Sequence, residues 1–531
     1  SCTFNAKTNA PMLHHVLHID DLPEGQMKTA TAGEQEVLLL NVKGEISALY
    51  PKCTHYGAPL ADGVLNGHRL VCPWHHACFD ARDGKHLEAP GIDGLPSFEV
   101  ERRGNEIWVD IPESPDGRVP NDMAEPRVEN EATYAIIGGG AAGAYAAEGM
   151  REAGFTGRIV LFSEEEEVPY DRPNCSKDYL QDKAPEEWMP LRDEAFYKKH
   201  GIVLMKGHRA NWVDTQKKEI QFEEGDAVSY DKLLICTGGS PNRLPIAGAE
   251  FDNVYTLRSL SDSRLLQQKG KAAEKVVIIG ASFIAMEVAM SLQQLDCEVH
   301  VVAPEEVPFA KVFGTDVGQR LKQWHEEAGI HFHLGQKVSQ IEGQSSADRV
   351  LLEDGTRLES DLVIMGVGVH PATSFLHKSL LEDDGSLKTD QYLQAGENLY
   401  ASGDIATYPR QGTYERIEHW KVACQQGRVA GRNMAGAGQP YQAVPFFWSV
   451  QQDKILGYIG HAEGFDETLV EGDLDGDSFL VHYVKDGKIQ ATLSLFRDAE
   501  LCAIQELMLE GRMPSPERVK QGVDWVQLIS G

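Results

Sequence analysis

No apolar run in this 531-residue chain approaches the ~20 residues that span a bilayer, so no membrane-spanning helix is expected. Positive charge is scarce: 50 Lys and Arg stand against 81 Asp and Glu, a formal net charge of −31. Nucleic-acid recognition needs clustered basic residues against phosphates and is not expected. An acidic surface can steer a basic electron-transfer partner, or simply aid solubility. Cysteine is sparse as well. Nine residues, at positions 2, 53, 72, 78, 175, 236, 297, 424 and 502, include no Cys-x-x-Cys, which argues against a disulfide framework and fits a reducing compartment. The first residues, Ser1-Cys2-Thr3-Phe4-Asn5-Ala6-Lys7, show no basic stretch followed by an apolar one, so no secretory signal is visible and a cytoplasmic protein is expected. The length is too great for one core and predicts about three or four domains.

Against that background one cluster stands out. Cys53-Thr54-His55 is followed, after sixteen residues, by Cys72-Pro73-Trp74-His75. Two loops each offering one thiolate and one imidazole can clamp a two-iron, two-sulfur rhomb, with cysteines on one iron and histidines on the other. A mixed Cys/His zinc site could use the same four ligands. Pro59 and Pro73 stiffen the loops and Gly57 allows close backbone approach. The surroundings, Cys-Thr-His-Tyr-Gly-Ala-Pro-Leu and Cys-Pro-Trp-His-His-Ala-Cys-Phe-Asp, resemble the Rieske family and favour its [2Fe–2S] centre. High-potential members carry a disulfide at positions matching Ala58 and Trp74. That bridge is absent here, so the resemblance implies a ferredoxin- or oxygenase-type centre. Cys78 is expected to be a small buried residue.

Residues 12–112 read as short strands broken by turns, among them Glu36–Val42, Ile46–Tyr50 and Ile107–Ile111, and form the all-β module that carries the two loops. Residues 113–131 are Pro-rich and polar, an extended linker. A different pattern follows. The strand Thr133–Ile137 runs into Gly138-Gly139-Gly140-Ala141-Ala142-Gly143 and an Ala-rich helix, the context in which Gly-x-Gly-x-x-Gly means a dinucleotide site. A second strand, Arg158–Phe162, ends at Ser163-Glu164, where an acid would hold a ribose hydroxyl. About 140 residues later Lys275–Ile279 leads into Gly280-Ala281-Ser282-Phe283-Ile284-Ala285 and then the strand Glu298–Val302. Ser282 and Ala285 replace the second and third glycines. Ser282 is expected to place a side chain near the pyrophosphate. Tyr230–Gly239 and Leu399–Ala406 are strands ending in Thr237-Gly238 and Gly403-Asp404.

Together these segments resemble the flavoprotein reductases with two dinucleotide-binding domains, in the branch of oxygenase-coupled ferredoxin reductases and apoptosis-inducing-factor-like proteins with an N-terminal Rieske domain. The specific matches are Pro169-Tyr170-Asp171-Arg172-Pro173-Asn174-Cys175-Ser176-Lys177, Arg416-Ile417-Glu418-His419-Trp420 and Pro445-Phe446-Phe447-Trp448-Ser449. The resemblance implies a multidomain chain. Its Rieske domain (12–112) precedes two glutathione-reductase-like α/β domains, for FAD (132–251 and 373–439) and NAD(P)H (252–372), and a C-terminal α/β domain (440–531) flanking the flavin. It implies cluster ligands Cys53, His55, Cys72 and His75. FAD would meet Gly138, Gly140, Ala142, Gly143, Glu164, Arg172, Lys177, Thr237, Gly238, Asp404, Trp420 and Trp448. NAD(P)H would meet Gly280, Ser282, Phe283, Ile284 and Gly368. Glu305 would stand in for the ribose acid, since Ala303 takes its usual place. With no Arg cluster nearby, NADH is favoured over NADPH.

Lys177 and Glu287 are the expected catalytic pair, an ammonium near the reactive edge of the flavin steadied by a carboxylate. The implied activity is hydride transfer from NADH to FAD, then single-electron transfer to the Rieske cluster, whose histidines would be exposed at the tip. The electrons would pass to an external oxygenase, cytochrome or ferredoxin-like acceptor, in a monomer or homodimer. The linker would raise the cluster's effective concentration. A mononuclear oxygenase iron would need two His and a carboxylate, which His14, His15 and His18 do not convincingly supply. Cys175 and Cys236 stand alone, which speaks against a disulfide reductase. The rival reading is a redox sensor like apoptosis-inducing factor, with NADH-controlled dimerisation or partner binding.

Overall fold

The computed structural model describes residues 12–530, so Cys2 and the rest of the first eleven residues lie outside it. The chain forms two compact units. One contains the residues up to Asp122, Gly457–Gly460 and the chain from Leu480 onward; the other contains Met123–Leu456 and His461–Phe479.

The first unit is built on the strand Gln35–Val42. Its period-2 pattern divides its side chains between two cores. Val37 and Leu39 pack with Leu17, Leu22, Ile107 and Val109. Leu38, Leu40 and Val42 pack with Cys53, Leu60, Cys72 and Phe79, at the base of the two cysteine loops. The strand lies in a six-stranded antiparallel sheet ordered Leu13–His18, Glu106–Asp110, Ser97–Arg103, Glu45–Leu49, Gln35–Val42, Met27–Ala32. A four-stranded sheet, Val64–Asn66, Arg69–Val71, Cys78–Asp80, His86–Glu88, carries the second cysteine loop between its middle strands. The start of the linker is pinned to this unit: Val119 and Gly94 exchange backbone hydrogen bonds of 2.8 and 3.0 Å, and Asn121 Nδ2 donates to the Ile92 carbonyl at 3.0 Å. From Leu480 the same unit continues through the strands Phe479–Lys485 and Lys488–Leu495 into helices Asp498–Leu509, Pro516–Lys520 and Trp525–Ser530.

The second unit holds two parallel sheets whose central strands are mostly buried and therefore read as near-continuous apolar runs. The first is ordered Ile202–Met205, Arg158–Phe162, Thr133–Ile137, Lys232–Ile235, Leu399–Ala401, with Gln394–Gly396 antiparallel at its edge. The second is ordered Val254–Tyr255, Leu362–Met365, Lys275–Ile279, Glu298–Ala303, His331–Leu334. Each sheet is accompanied by a three-stranded antiparallel sheet, Ala210–Ser229 and Val338–Glu359. Gly239–Pro241 pairs with Val369–Pro371 where the chain enters and leaves the second sheet.

The Ala-rich helix Ala141–Glu152 packs on Trp420–Met434. Their backbones approach so closely that a Cβ at Gly427 would lie 2.1 Å from the Ala142 carbonyl oxygen, and one at Gly431 2.1 Å from that of Ala146. A mid-helix glycine costs about 1 kcal/mol relative to alanine; here it admits a neighbouring backbone. Glu152 locks the far end of the contact, accepting from Arg428 twice at 2.8 Å and from Arg432 at 2.8 Å. Gly427→Val is expected to destabilise the second unit by about 1–3 kcal/mol through overpacking, read as a lower denaturation midpoint, whereas Gly396→Val, on an exposed edge strand where a Cβ meets only ordinary contacts at 3.8 Å or more, changes it far less.

Candidate functional site

In the second unit the ends of the first parallel sheet open into a cavity of about 610 Å³, within the range of cofactor sites. The turn after Thr133–Ile137 forms its floor. Gly138 has φ +128°, and a Cβ there would lie 2.3 Å from the Cys236 carbonyl oxygen; one at Gly143 would lie 2.0 Å from that of Gly138. Gly140 faces open space, and no side chain caps the helix that follows. Its first amides are left for an anion. These features fit a dinucleotide diphosphate.

Gly138, Gly140, Ala142, Glu164, Arg172, Lys177, Thr237, Gly238, Phe283, Ile284, Glu287, Asp404, Trp420 and Trp448 all line this one cavity. Arg172 Nη2 donates to Glu165 Oε1 at 2.7 Å and Nη1 to the Arg258 carbonyl at 2.5 Å. Arg258 in turn reaches Asp404 Oδ2 at 3.0 Å. Glu164 is largely exposed, 3.7 Å from Arg209. Lys177 Nζ lies 2.7 Å from Glu287 Oε2, with side-chain exposures of 13% and 4%, so two residues 110 positions apart form one buried pair.

Gly143, Gly280, Ser282, Glu305 and Gly368 are not in that lining. Gly143 sits at the closest helix–strand approach. Ser282 caps the helix Phe283–Gln293, accepting from Ala285 N at 3.3 Å, and donates to the Gly366 carbonyl at 2.9 Å. Its hydroxyl is thus engaged within the turn, which explains how serine replaces glycine there. Glu305 is exposed beyond the strand Glu298–Ala303. Gly368 accepts through its carbonyl from Asn242 N at 2.9 Å, at the crossover between the sheets.

Sequence reasoning missed Glu165, Arg258, His370, His419 and Phe447, which also line the cavity. Burial first, then His461, lowers the pKa of His419 to about 3, so its ring stays neutral, 4.6 Å from that of Phe447. Glu165 follows the acid that was singled out, and His419 lies inside a motif already quoted; only tertiary contacts select them.

In the first unit the two cysteine loops have matching frames. Cys53 N donates to the Ala58 carbonyl (2.9 Å) and Gly57 N to that of Cys53 (3.0 Å); Cys72 N donates to the Ala77 carbonyl (2.8 Å) and His76 N to that of Cys72 (3.2 Å). The Cys53 and Cys72 thiols are hydrogen-bond neighbours, and the Nδ1 atoms of His55 and His75 are 3.1 Å apart. Two sulfurs and two imidazole nitrogens therefore converge in pairs, as a rhomb with two ligands per iron requires. Among the described residues, no three His, Cys, Asp or Glu side chains surround a single-ion position.

The imidazoles are less exposed than expected. His75 is 7% exposed, while Tyr56 (43%) and Trp74 (45%) occupy the outer rim; Tyr56 stacks on His55 at 3.9 Å. Cys78 is fully buried, as anticipated.

The second loop is supported by the chain from Leu480 onward. Gly57 takes φ +75° freely, but its counterpart His76 holds φ +58° with a side chain, a conformation that needs outside stabilisation. Helix Asp498–Leu509 provides it: Gln505 Oε1 is 2.9 Å from His76 Nδ1, and Cys502 Sγ donates to the Cys72 carbonyl at 3.4 Å. One turn along, buried Glu506 accepts from Arg69 Nε at 2.7 Å and Asn66 at 3.1 Å. The iron–sulfur module is thus fastened to the chain's end, and the linker is not its only attachment.

A cavity at the C-terminal edges of a parallel sheet, with an ammonium–carboxylate pair in its wall, and a separate module with paired Cys/His loops define a flavoprotein reductase joined to a Rieske domain. The chain belongs to the pyridine nucleotide-disulphide oxidoreductase family, whose model matches residues 132–427, with a Rieske [2Fe-2S] domain over 12–99 and a reductase C-terminal domain over 446–524. It is 34% identical to apoptosis-inducing factor 3 of Homo sapiens over 511 residues, covering 94% of this chain and 84% of that protein. It is 30% identical to rhodocoxin reductase of Rhodococcus erythropolis, over 72% of this chain and 91% of the relative. Among solved structures, the covalent putidaredoxin reductase–putidaredoxin complex aligns at TM-score 0.72 and 29% identity, over 76% of this chain and 99% of that one.

Despite the family's name, no thiol pair borders the cavity among the described residues. Cys175 and Cys236 are free and buried, and burial pushes the Cys175 thiol up to about 12, leaving it unreactive. The Cys175→Ser/Cys236→Ser double variant is expected to keep NADH-dependent dye reduction within about twofold, measured with ferricyanide.

Proposed function

We propose that this protein takes electron pairs from NADH through FAD in the cavity of the second unit. It passes them singly to a [2Fe–2S] cluster held by Cys53, His55, Cys72 and His75, and then to an external oxygenase, cytochrome or ferredoxin-like acceptor. The observation that carries this reading is the buried Lys177–Glu287 pair opening onto the dinucleotide cavity. Bound FAD would supply the conversion of one hydride into two separately released electrons.

The remaining work falls to side chains. The uncapped amides after Gly140 would meet the diphosphate, with Arg172 alongside. Glu164 would take the adenosine ribose, and Asp404, oriented by Arg258, the ribityl chain. Thr237 and Gly238 would flank the adenine half. Trp420 and Trp448 would cover the ring edge and exclude water. Lys177 would place positive charge where negative charge develops on hydride arrival, and Glu287 keeps that ammonium fixed at 2.7 Å. Phe283 and Ile284, with Gly280, would receive the nicotinamide. Neither a nucleophile nor a general base is required.

No helix among the described residues is long and apolar enough to cross a membrane. The eight described cysteines are all buried, and the sparse, odd set of cysteines supports the cytoplasm as the compartment. The identity to apoptosis-inducing factor 3, running through the Rieske region as well, favours a second reading as a redox sensor. That reading predicts a long-lived NAD complex of the reduced protein and a change in oligomer size, with slow turnover.

Anaerobic titration with NADH, following flavin and cluster absorbance together, is expected to bleach both; iron left oxidised after the flavin is bleached would refute the relay. Glu305 and Glu306 at the end of the strand Glu298–Ala303 are expected to disfavour a 2′-phosphate. Glu305→Arg/Glu306→Arg should then narrow the NADH-over-NADPH ratio of kcat/KM by about tenfold, and an unchanged ratio would remove these residues from cofactor selection.

A further inference from the structure

Glu287 is the end of a line of buried polar side chains that no motif announces. Its Oε2 accepts from Lys177 Nζ (2.7 Å) and Ser176 Oγ (2.5 Å); its Oε1 accepts from Ser449 Oγ (2.7 Å) and the Val450 amide (3.3 Å). Behind Ser449, Gln451 Nε2 lies 2.7 Å from the serine oxygen and Gln451 Oε1 2.7 Å from His325 Nε2. Gln452 Nε2 is 3.0 Å from His325 Nδ1. Ser449, Gln451 and His325 are each at most 1% exposed.

A carboxylate can only accept, and this fixes the direction of every bond in the line. Ser449 must donate to Glu287, so its oxygen must accept from the Gln451 amide. The Gln451 carbonyl then requires the proton on His325 Nε2, leaving Nδ1 to accept from Gln452. Burial lowers the pKa of His325 to about 4, so the ring is neutral, as this tautomer demands. Each bond is polarised the same way, and donors aligned in series strengthen one another in a dry interior. The line is not a proton path, because a carboxamide at Gln451 would have to pass through an imidic acid to relay one.

We propose that His325, Gln451 and Ser449 are positioning residues that brace the Glu287 carboxylate from behind, and thereby hold the Lys177 ammonium where the cavity would hold the flavin. The proposal rests on the flavin reading above. Without the line, a buried ion pair loses compensation, the carboxylate turns away from Lys177, and the ammonium is no longer fixed at the cavity wall.

The test is a double-mutant cycle on the flavin midpoint potential, measured on the full holoprotein by dye-coupled reduction without NADH. Gln451→Leu removes the donor, and Gln451→Met removes it at similar volume without adding a charge. Each is expected to lower the potential by about threefold in the two-electron equilibrium, roughly 14 mV, in the wild-type background. In the Glu287→Gln background the shift should vanish, because the charge through which Gln451 acts is gone. Equal shifts in both backgrounds, or none in either, would overturn the proposal. A wild-type flavin that titrates with dyes yet is not reduced by NADH would sink the reductase reading while leaving this cycle interpretable.

Discussion

The second unit depends on one buried carboxylate. Glu287 comes from the second dinucleotide fold, Ser176 and Lys177 from the segment after the first, and Ser449 from the strand Phe446–Gln451, and all of them meet within hydrogen-bond distance. A carboxylate that is 3% exposed is tolerated only if its lone pairs are met and an opposite charge is close. Moving any of the three segments would leave either the ammonium or the carboxylate uncompensated in a dry place. The electrostatic requirement that suits the cavity for redox chemistry is therefore also what registers these segments against one another.

Backbone proximity supplies the other half of the construction. The two helices that flank the first Gly-rich turn touch through Gly427 and Gly431, where even a methyl group would strike a carbonyl. Short helix-to-helix distance positions the uncapped amides after Gly140, and the Glu152–Arg428–Arg432 triad fixes the far end of the contact. Conformational freedom at Gly138 and steric room at Gly427 are separate uses of the same residue type, and both serve one turn.

Local pattern made much of this legible in the sequence. Strand–Gly–helix segments announce themselves because a buried parallel strand must be apolar and the turn after it must be small; both stand where the pattern predicts, at Thr133–Ile137 and Lys275–Ile279. The pairing of Lys177 with Glu287 was accessible only through family resemblance, since nothing local links positions 110 apart. Glu165, His419 and the Gln451–His325 contact were not legible. Each looks like an ordinary polar residue until folding buries it beside a partner. The assignment of the chain from Leu480 onward to the same compact unit as the iron–sulfur module was equally hidden: the contacting residues of Asp498–Leu509 read only as Cys, Gln and Glu on a largely buried helix.

The two cysteine loops share a backbone frame but not a source of support. Gly57 can adopt its turn unaided, whereas His76 is held in its left-handed conformation by Gln505, from a part of the chain translated more than 400 residues later. Vectorial synthesis therefore completes the first half of the cage early, while the second waits for the helix that supports it. Iron loading of a nascent chain that still lacks Asp498–Leu509 would meet an unfinished receptacle, and a stop codon ahead of that helix would yield a polypeptide with its reductase motifs intact and an imperfect cluster cage.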